Sequence, residues 1–540
     1  MQHLLEERKW FKSYPAEMKK ELHIPVVSVY SILEDTAEQY PNRLAVIQDK
    51  EKFTYKEMKE KIDRLAGGWK ELGLGKGERI GLMVSNDPGY IISYYAAMKL
   101  GLVVVQINPR YTPRELLQIA NDAEMEYIVT EEKTVAKIRK LDGVYQFRHI
   151  FVVGSTDEAS ISLTSLIKQS PELEEKTPLN PREDVAVIQY TGGTSGVIKG
   201  AMLTHYNLVA NVIQSHAMYG KDMAFGKETV LTVTPLYHVY AMTSGMNLGI
   251  YIGATNLLIK KFEVDDVLEK IRDYQPTFFP SVPRMYNAFV NHEKVREYGL
   301  DCLKFCSSGS APLPVEVIRK FEEITGAVIG EGFGLSEASP STHRNPPKGI
   351  RKIGSIGIPM PETDSKVVDE KNNELPANSV GELAIKGPQI MKGYWNNEEE
   401  TRKSLKAGWL YTGDLAFQDE DGYFFIVGRK KELIISGGFN VYPQEVENVL
   451  YEHPDIKECA VAGISDPEKG EVVKAYIVPN KGVSIDFEEL KGFCYRNLTP
   501  YKVPKRFEVI SELPRNNVGK ILKRKLVDAE KEKSQKREEM

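Results

Sequence analysis

The densest chemistry in the chain is a run of eleven residues, Tyr190-Thr191-Gly192-Gly193-Thr194-Ser195-Gly196-Val197-Ile198-Lys199-Gly200. Glycines let backbone N–H groups approach a ligand closely, hydroxyls donate further hydrogen bonds, and Lys199 adds a cation. Such a composition suits a loop that wraps an anion, although a Gly-rich turn between two elements is the commoner use of a lone glycine cluster. Two familiar phosphate loops do not fit. A Walker loop needs Gly-Lys-Ser/Thr in that order, and here the lysine precedes its glycine. The dinucleotide fingerprint follows its first strand, whereas Gly73-Leu74-Gly75-Lys76-Gly77 precedes the apolar run Ile80–Val84.

Five further clusters hold groups able to do chemistry, and each has an ordinary structural reading. Phe333-Gly334-Leu335-Ser336-Glu337 reads as a helix start with Ser336 as N-cap. Tyr411-Thr412-Gly413-Asp414 reads as a turn, and Gly428-Arg429-Lys430-Lys431 as a solvated basic turn. Lys520, near a charged C-terminus, reads as a surface residue. His238, alone in the apolar segment Pro235–Met242, reads as a satisfied core histidine.

The elements that must position these groups follow from hydrophobic periodicity. Strand-like runs at Leu44–Gln48, Ile80–Val84, Val103–Ile107, Tyr127–Val129 and Ile150–Val153 alternate with helical patterns. One of these, Tyr55 to Leu72, places Met58, Ile62, Leu65 and Trp69 on one face. A second alternating block runs from 185 to about 345, so the chain reads as α/β with largely parallel sheets. From about 350 to 430 short strands with Gly and Pro turns predict a small barrel or sandwich. After Lys431 a separate α+β unit is expected, with helices over Gln444–Tyr451 and Phe487–Leu498, and Asp528–Met540 reads as a solvated tail.

With 540 residues, more than one domain is required. A net charge of −5 gives no reason for nucleic-acid binding, so an anionic ligand must be held by local positive features. Four sparse cysteines read as free thiols of a reducing cytosol. The charged start, Met1 to Trp10, lacks the apolar stretch of a signal peptide. The chain is expected to be cytoplasmic, with peripheral membrane contact and a homodimer left open.

The eleven-residue run resembles the signature Tyr-Thr-Ser/Gly-Gly-Thr-Thr-Gly-x-Pro-Lys-Gly of the adenylate-forming superfamily, which includes acyl-CoA synthetases, peptide-synthetase adenylation domains and firefly-type luciferases. It departs at Ser195, which keeps a hydroxyl, and at Ile198, which replaces proline. The other clusters are similar to that superfamily's remaining motifs, in the same order, over roughly residues 30 to 525.

The resemblance implies a 1–430 adenylation domain and a 431–540 lid domain. It implies that Thr191, Gly192, Gly193, Thr194, Ser195, Gly196 and Lys199 hold phosphates, and that Gly309, Ser310 and Ala311 lie between adenine and acyl chain. Gly332, Phe333, Gly334 and Ser336 would also bind nucleotide, with Phe333 stacking on the base. Glu337, with Thr191, would serve Mg²⁺. Asp414 would accept the ribose hydroxyls, Arg429 would contact ribose and phosphate, and Lys431 would be the hinge. Ser436, Gly437, Gly438 and Tyr442 would line the coenzyme A tunnel. His238 would position the carboxylate, and Lys520 would be the catalytic lysine. The implied reaction turns a carboxylic acid and Mg-ATP into an acyl-adenylate and pyrophosphate, then transfers the acyl group to coenzyme A with release of AMP. The Thr-Gly-Gly-Thr variant of the loop is most similar to bacterial medium- and long-chain fatty acyl-CoA synthetases. An aryl-acid ligase, a fatty acyl-AMP ligase and a silent nucleotide-binding relative share the same motifs. Loss of Lys520, Glu337 or Asp414 would mark the last, and none is lost.

Overall fold

The computed structural model describes residues 8–154, 156–192, 198–436, 439–466, 470–515 and 520–538. The chain divides into two compact units, residues 1–364 with 385–410, and residues 365–384 with 411–540.

The first unit is built on two large sheets. One has nine strands, and its parallel run comprises Leu44–Gln48, Thr255–Leu258, Thr229–Thr232, Phe278–Ser281, Phe305–Ser308 and Val328–Gly334, in that spatial order. Ser341–Arg344 adds antiparallel beside Val328–Gly334. The other sheet has eight strands. Tyr127–Glu131, Arg79–Met83, Val103–Gln106 and Val185–Gly192 lie side by side and parallel, and Ile198–Thr204 folds back antiparallel on the last.

Helices with one apolar stripe cover these sheets. Helix Tyr55–Glu71 starts at a capping box in which Thr54 and Glu57 exchange hydrogen bonds, and it buries Met58, Ile62, Leu65 and Trp69 completely. Each such side chain contributes about 1.5–3 kcal/mol by leaving water. Val264–Tyr274 buries Val267, Leu268 and Ile271, and with Pro283–Val290 and Val315–Thr325 it closes one core over the nine-stranded sheet. Pro88–Leu100 is buried on every side, as a helix enclosed by other elements must be.

In the second unit, the region expected to form a small barrel or sandwich is a sheet of short strands. Its members include Asp364–Val368, Gly381–Lys386 and Trp409–Gln418, with Phe424–Arg429 branching from the last. A further sheet is dominated by the long hairpin Ile456–Asp466 with Gly470–Pro479 and is covered by helices Pro443–Tyr451 and Phe487–Asn497. The expected solvated tail is instead part of a helix, Lys523–Glu538. Leu526 is buried against Tyr476 and Val478, Glu530 pairs with the buried Lys474 at 2.6 Å, and Lys533 reaches Glu508. A composition of alternating charges hid anchors that only the neighbouring strands provide.

Candidate active site

The clusters singled out in the first unit leave the sheets at the carboxyl ends of parallel strands. Thr229–Thr232 runs toward His238, Phe305–Ser308 into Gly309-Ser310-Ala311, and Val328–Gly334 into the turn Ser336–Ala338. In the other sheet Val185–Gly192 ends in Thr191-Gly192. In open α/β sheets this is the edge at which ligands bind.

His238 is fixed through its neighbours. Asn86, buried between the sheets, donates to the carbonyl of Thr234 at 3.2 Å and accepts from the Leu236 amide at 2.8 Å. The Tyr90 hydroxyl caps the Leu236 carbonyl at 2.8 Å. The Tyr240 amide donates to Nδ1 of His238 at 3.4 Å, which puts the ring proton on Nε2. Burial pushes the imidazole down to about 4, so it is a neutral N–H donor at physiological pH. The sequence offered no signal for Asn86 or Tyr90, whose partners are about 150 residues away.

Glu337 lies in a single 3₁₀ turn, Ser336–Ala338, whose N-cap is Leu335. The N-capping part expected of Ser336 is therefore not played, because no full helix follows. The Tyr394 hydroxyl donates to Oε1 of Glu337 at 2.8 Å, and the Met391 amide to its carbonyl at 2.8 Å. A half-buried carboxylate held through one oxygen fits a hard cation that also takes triphosphate oxygens and water. Phe333 meets His343 edge-on at 6.2 Å between ring centres. Gly334 is required by packing, since a Cβ there would stand 2.4 Å from the Pro340 carbonyl oxygen.

Lys199, opposite Thr191 in the strand pair, forms an ion pair with Glu400 and lies 5.3 Å from the centre of the Tyr394 ring. Glu400 is in the first turn of helix Glu398–Ser404, where Asn397 caps its amide. Tyr394 and Glu400 thus tie Glu337 and Lys199 to one segment that sequence reasoning passed over. Gly193, Thr194, Ser195 and Gly196, expected to hold phosphate, lie outside the described residues.

In the second unit Asp414 and Arg429 face each other across adjacent strands. Arg429 Nε lies 2.7 Å from Asp414 Oδ1, and Asp414 is only 3% exposed. Gly413, at φ +72°, takes the left-handed turn that lets the Asp414 amide donate to the Thr412 hydroxyl oxygen at 3.0 Å. Glu382 braces the group by accepting from the Gly413 amide at 3.1 Å and from Lys430 at 3.1 Å. Lys431 is exposed in the 3₁₀ turn Lys430–Glu432 that follows. Ser436 is buried in strand Ile434–Ser436, and Tyr442 is the N-cap of helix Pro443–Tyr451. Gly437 and Gly438 lie outside the described residues. Lys520 is exposed beside the isolated bridge between Arg515 and Ile521.

Comparisons with known proteins agree on one family. The AMP-binding enzyme family matches residues 33–395, and the C-terminal domain of AMP-binding enzymes matches residues 445–520. The chain is 41% identical to the long-chain-fatty-acid–CoA ligase of Bacillus subtilis strain 168, over 97% of this chain and 99% of that protein. It is 36% identical to the long-chain-fatty-acid–CoA ligase of Escherichia coli O6:H1, over 96% and 98% respectively. Among solved structures, the anthranilate CoA ligase AuaEII in complex with anthranoyl-AMP superposes with a TM-score of 0.87 at 27% identity, covering 95% of this chain and 99% of that one.

Proposed function

The chain belongs to the AMP-binding family of adenylate-forming enzymes and is an AMP-forming fatty acid–CoA ligase, and we propose that its acid is a medium- to long-chain fatty acid. The observation that carries this reading is similarity over essentially the whole length of two bacterial long-chain ligases, with every chemical motif present in this chain.

In the first half-reaction a carboxylate oxygen attacks the α-phosphorus of ATP, the bond to the bridging oxygen breaks, and pyrophosphate leaves. Little covalent chemistry falls to the protein, which positions the reactants and offsets charge. Lys199, oriented by Glu400, holds phosphate together with Thr191, Gly192, Gly193, Thr194, Ser195 and Gly196. Neutral His238 donates Nε2–H toward the acid. Asp414 accepts the ribose diol, kept in place by Arg429. Phe333 stacks on adenine, walled by Gly309, Ser310 and Ala311. Mg²⁺ bound at Glu337 would neutralise triphosphate charge. Lys520 stabilises charge growing on the phosphorus-bound oxygens.

In the second half-reaction the lid turns about Lys431, Lys520 withdraws, and Ser436, Gly437, Gly438 and Tyr442 come to line the path of coenzyme A. Its sulfur attacks the acyl carbonyl, and AMP leaves. The domain limits that go with this reading are 1–430 and 431–540. No helix among the described residues is long and apolar enough to cross a membrane, and a cytoplasmic setting suits all the substrates.

The test is AMP release with Mg-ATP and a panel of C2 to C18 and aryl acids, with and without coenzyme A. Release that needs both an acid and coenzyme A, greatest at C8 to C18, is the expected result. An optimum on coumarate or benzoate would move the reading to an aryl-acid ligase, and pyrophosphate without thioester would move it to an acyl-AMP ligase.

A further inference from the structure

One acidic residue outside the chemical motifs braces the phosphate end of the site. Asp122 lies in the last turn of helix Pro113–Ala123, where a carboxylate faces the negative end of the helix dipole and is locally disfavoured. A residue placed against local preference is most often found where a site needs it. Asp122 is half-buried and is engaged from two directions. Its side-chain Oδ2 accepts the hydroxyl of Tyr190, a residue only 6% exposed. Its backbone carbonyl accepts Trp395 Nε1–H at 3.0 Å and the Asn396 side-chain amide at 3.1 Å. Arg79 steadies the same helix end, donating to the Ala123 carbonyl at 2.9 Å and lying 5.8 Å from the centre of the Trp395 ring. Burial, and then the carboxylate itself, push the Tyr190 hydroxyl pKa far up, so Tyr190 remains a donor at physiological pH.

These contacts close on themselves. Tyr190 stands opposite Gly200 in the antiparallel pair Val185–Gly192 and Ile198–Thr204. A Cβ on Gly200 would stand 2.6 Å from the Ile188 side chain and 3.1 Å from the Tyr190 ring, so glycine leaves that ring its place. The Gly200 carbonyl accepts the Trp395 amide at 2.8 Å, and the Trp395 indole returns to Asp122. Each corner is the chain neighbour of a residue with work to do at the site. Tyr190 precedes Thr191, Gly200 follows Lys199, and Trp395 follows Tyr394, which holds Glu337. The one link that joins the phosphate-loop strand to the helix end is the hydrogen bond from Tyr190 to the Asp122 carboxylate.

We propose that Asp122 is a positioning residue of the first half-reaction, holding Thr191 and Lys199 in register for Mg-ATP through the Tyr190 hydroxyl. This rests on the acid-ligase reading and deepens it. The alternative is that Asp122 is a staple of the fold, needed equally by every activity.

The experiment separates the half-reactions in wild type, Asp122→Ala, Asp122→Asn and Tyr190→Phe. Pyrophosphate release is measured with Mg-ATP and dodecanoic acid. Thioester formation is measured with synthetic dodecanoyl-adenylate and coenzyme A, which bypasses the triphosphate. Asp122→Ala should lower kcat/KM for adenylation by about 30-fold, within the loss that a misplacement of about 1 Å brings. Thioester formation from the adenylate should stay within about twofold of wild type, because an interaction used in one transition state is lost only there. Asp122→Asn keeps an acceptor oxygen for Tyr190 and should recover most of the adenylation. Tyr190→Phe should reproduce Asp122→Ala, and the double variant should be no worse than either, since the pair acts as one unit. Equal losses in both half-reactions, Asp122→Asn no better than Asp122→Ala, or adenylation unchanged in all variants would overturn the proposal. If Asp122→Ala does not fold, Tyr190→Phe decides by the same comparison. A wild type that forms no pyrophosphate with any acid would fail the ligase reading, and Mg-ATP affinity would then decide Asp122. Affinity weakened in Asp122→Ala and restored in Asp122→Asn would support the proposal; affinity unchanged would overturn it.

Discussion

Two charged clusters in this protein are held in opposite ways. Asp414 and Arg429 sit across from one another on neighbouring antiparallel strands, so a single hairpin fixes both charges and their 2.7 Å contact. Glu337 and Lys199 come from separate sheets, and each is oriented by a residue of the 391–404 segment: Tyr394, 57 positions from Glu337, and Glu400, 201 positions from Lys199. The first cluster is a local device. The second depends on the tertiary fold, and its members are expected to be separable by mutation where those of the first are not.

The sharpest break is expected at Lys520. Lys520→Ala should keep ATP binding and lose adenylation by about 10²–10³-fold, the range for removing one donor aimed at developing charge. Pyrophosphate release and ATP binding measured on the same sample decide it, and retained adenylation would remove the lysine from its role. Next comes the hairpin pair. If Asp414 holds the ribose diol as proposed, Asp414→Ala both deletes that acceptor and strands Arg429, so KM for ATP should rise by about 30-fold, as for loss of a charge-assisted bond. Arg429→Ala should do much the same, and the double variant little more, because the two act as one unit.

The tertiary cluster should respond more weakly and less uniformly. Tyr394→Phe removes one hydrogen bond to Glu337, worth about 1 kcal/mol, and should raise the Mg²⁺ requirement about fivefold. Glu400→Gln should raise KM for ATP by a similar factor, and the double variant should be additive. Coupling as strong as that between Asp414 and Arg429 would break the contrast.

The smallest effect concerns pH. Burial lowers His205 and His238 to about 4 and His343 to about 3. Between pH 6.5 and 4 the unfolded chain takes up protons that the folded chain refuses, so stability rises with pH through that window. Melting followed from pH 7 to pH 5 should show a fall of several degrees, while adenylation should lack a limb from His238, which is neutral throughout. A flat melting profile would contradict these assignments.

The same contrast explains what could be read in advance. Helix Tyr55–Glu71 and the alternating strands were legible because their periodicity is local. Asp414 and Arg429 were legible through short motifs. Tyr394, Glu400 and Asn86 were not, because their importance lies in partners brought near only by the sheets. The terminal helix Lys523–Glu538 was misread for the same reason: its charges look solvated until Lys474 and Glu508 are found beneath them.

The most direct measurement is a single turnover with enzyme in excess over a long-chain acid and Mg-ATP, with coenzyme A withheld and then added. Two half-reactions on one site predict prompt pyrophosphate equal to the acid bound, an acyl-adenylate retained on the protein, and AMP released with thioester only after coenzyme A arrives. Pyrophosphate that waits for coenzyme A would contradict the account.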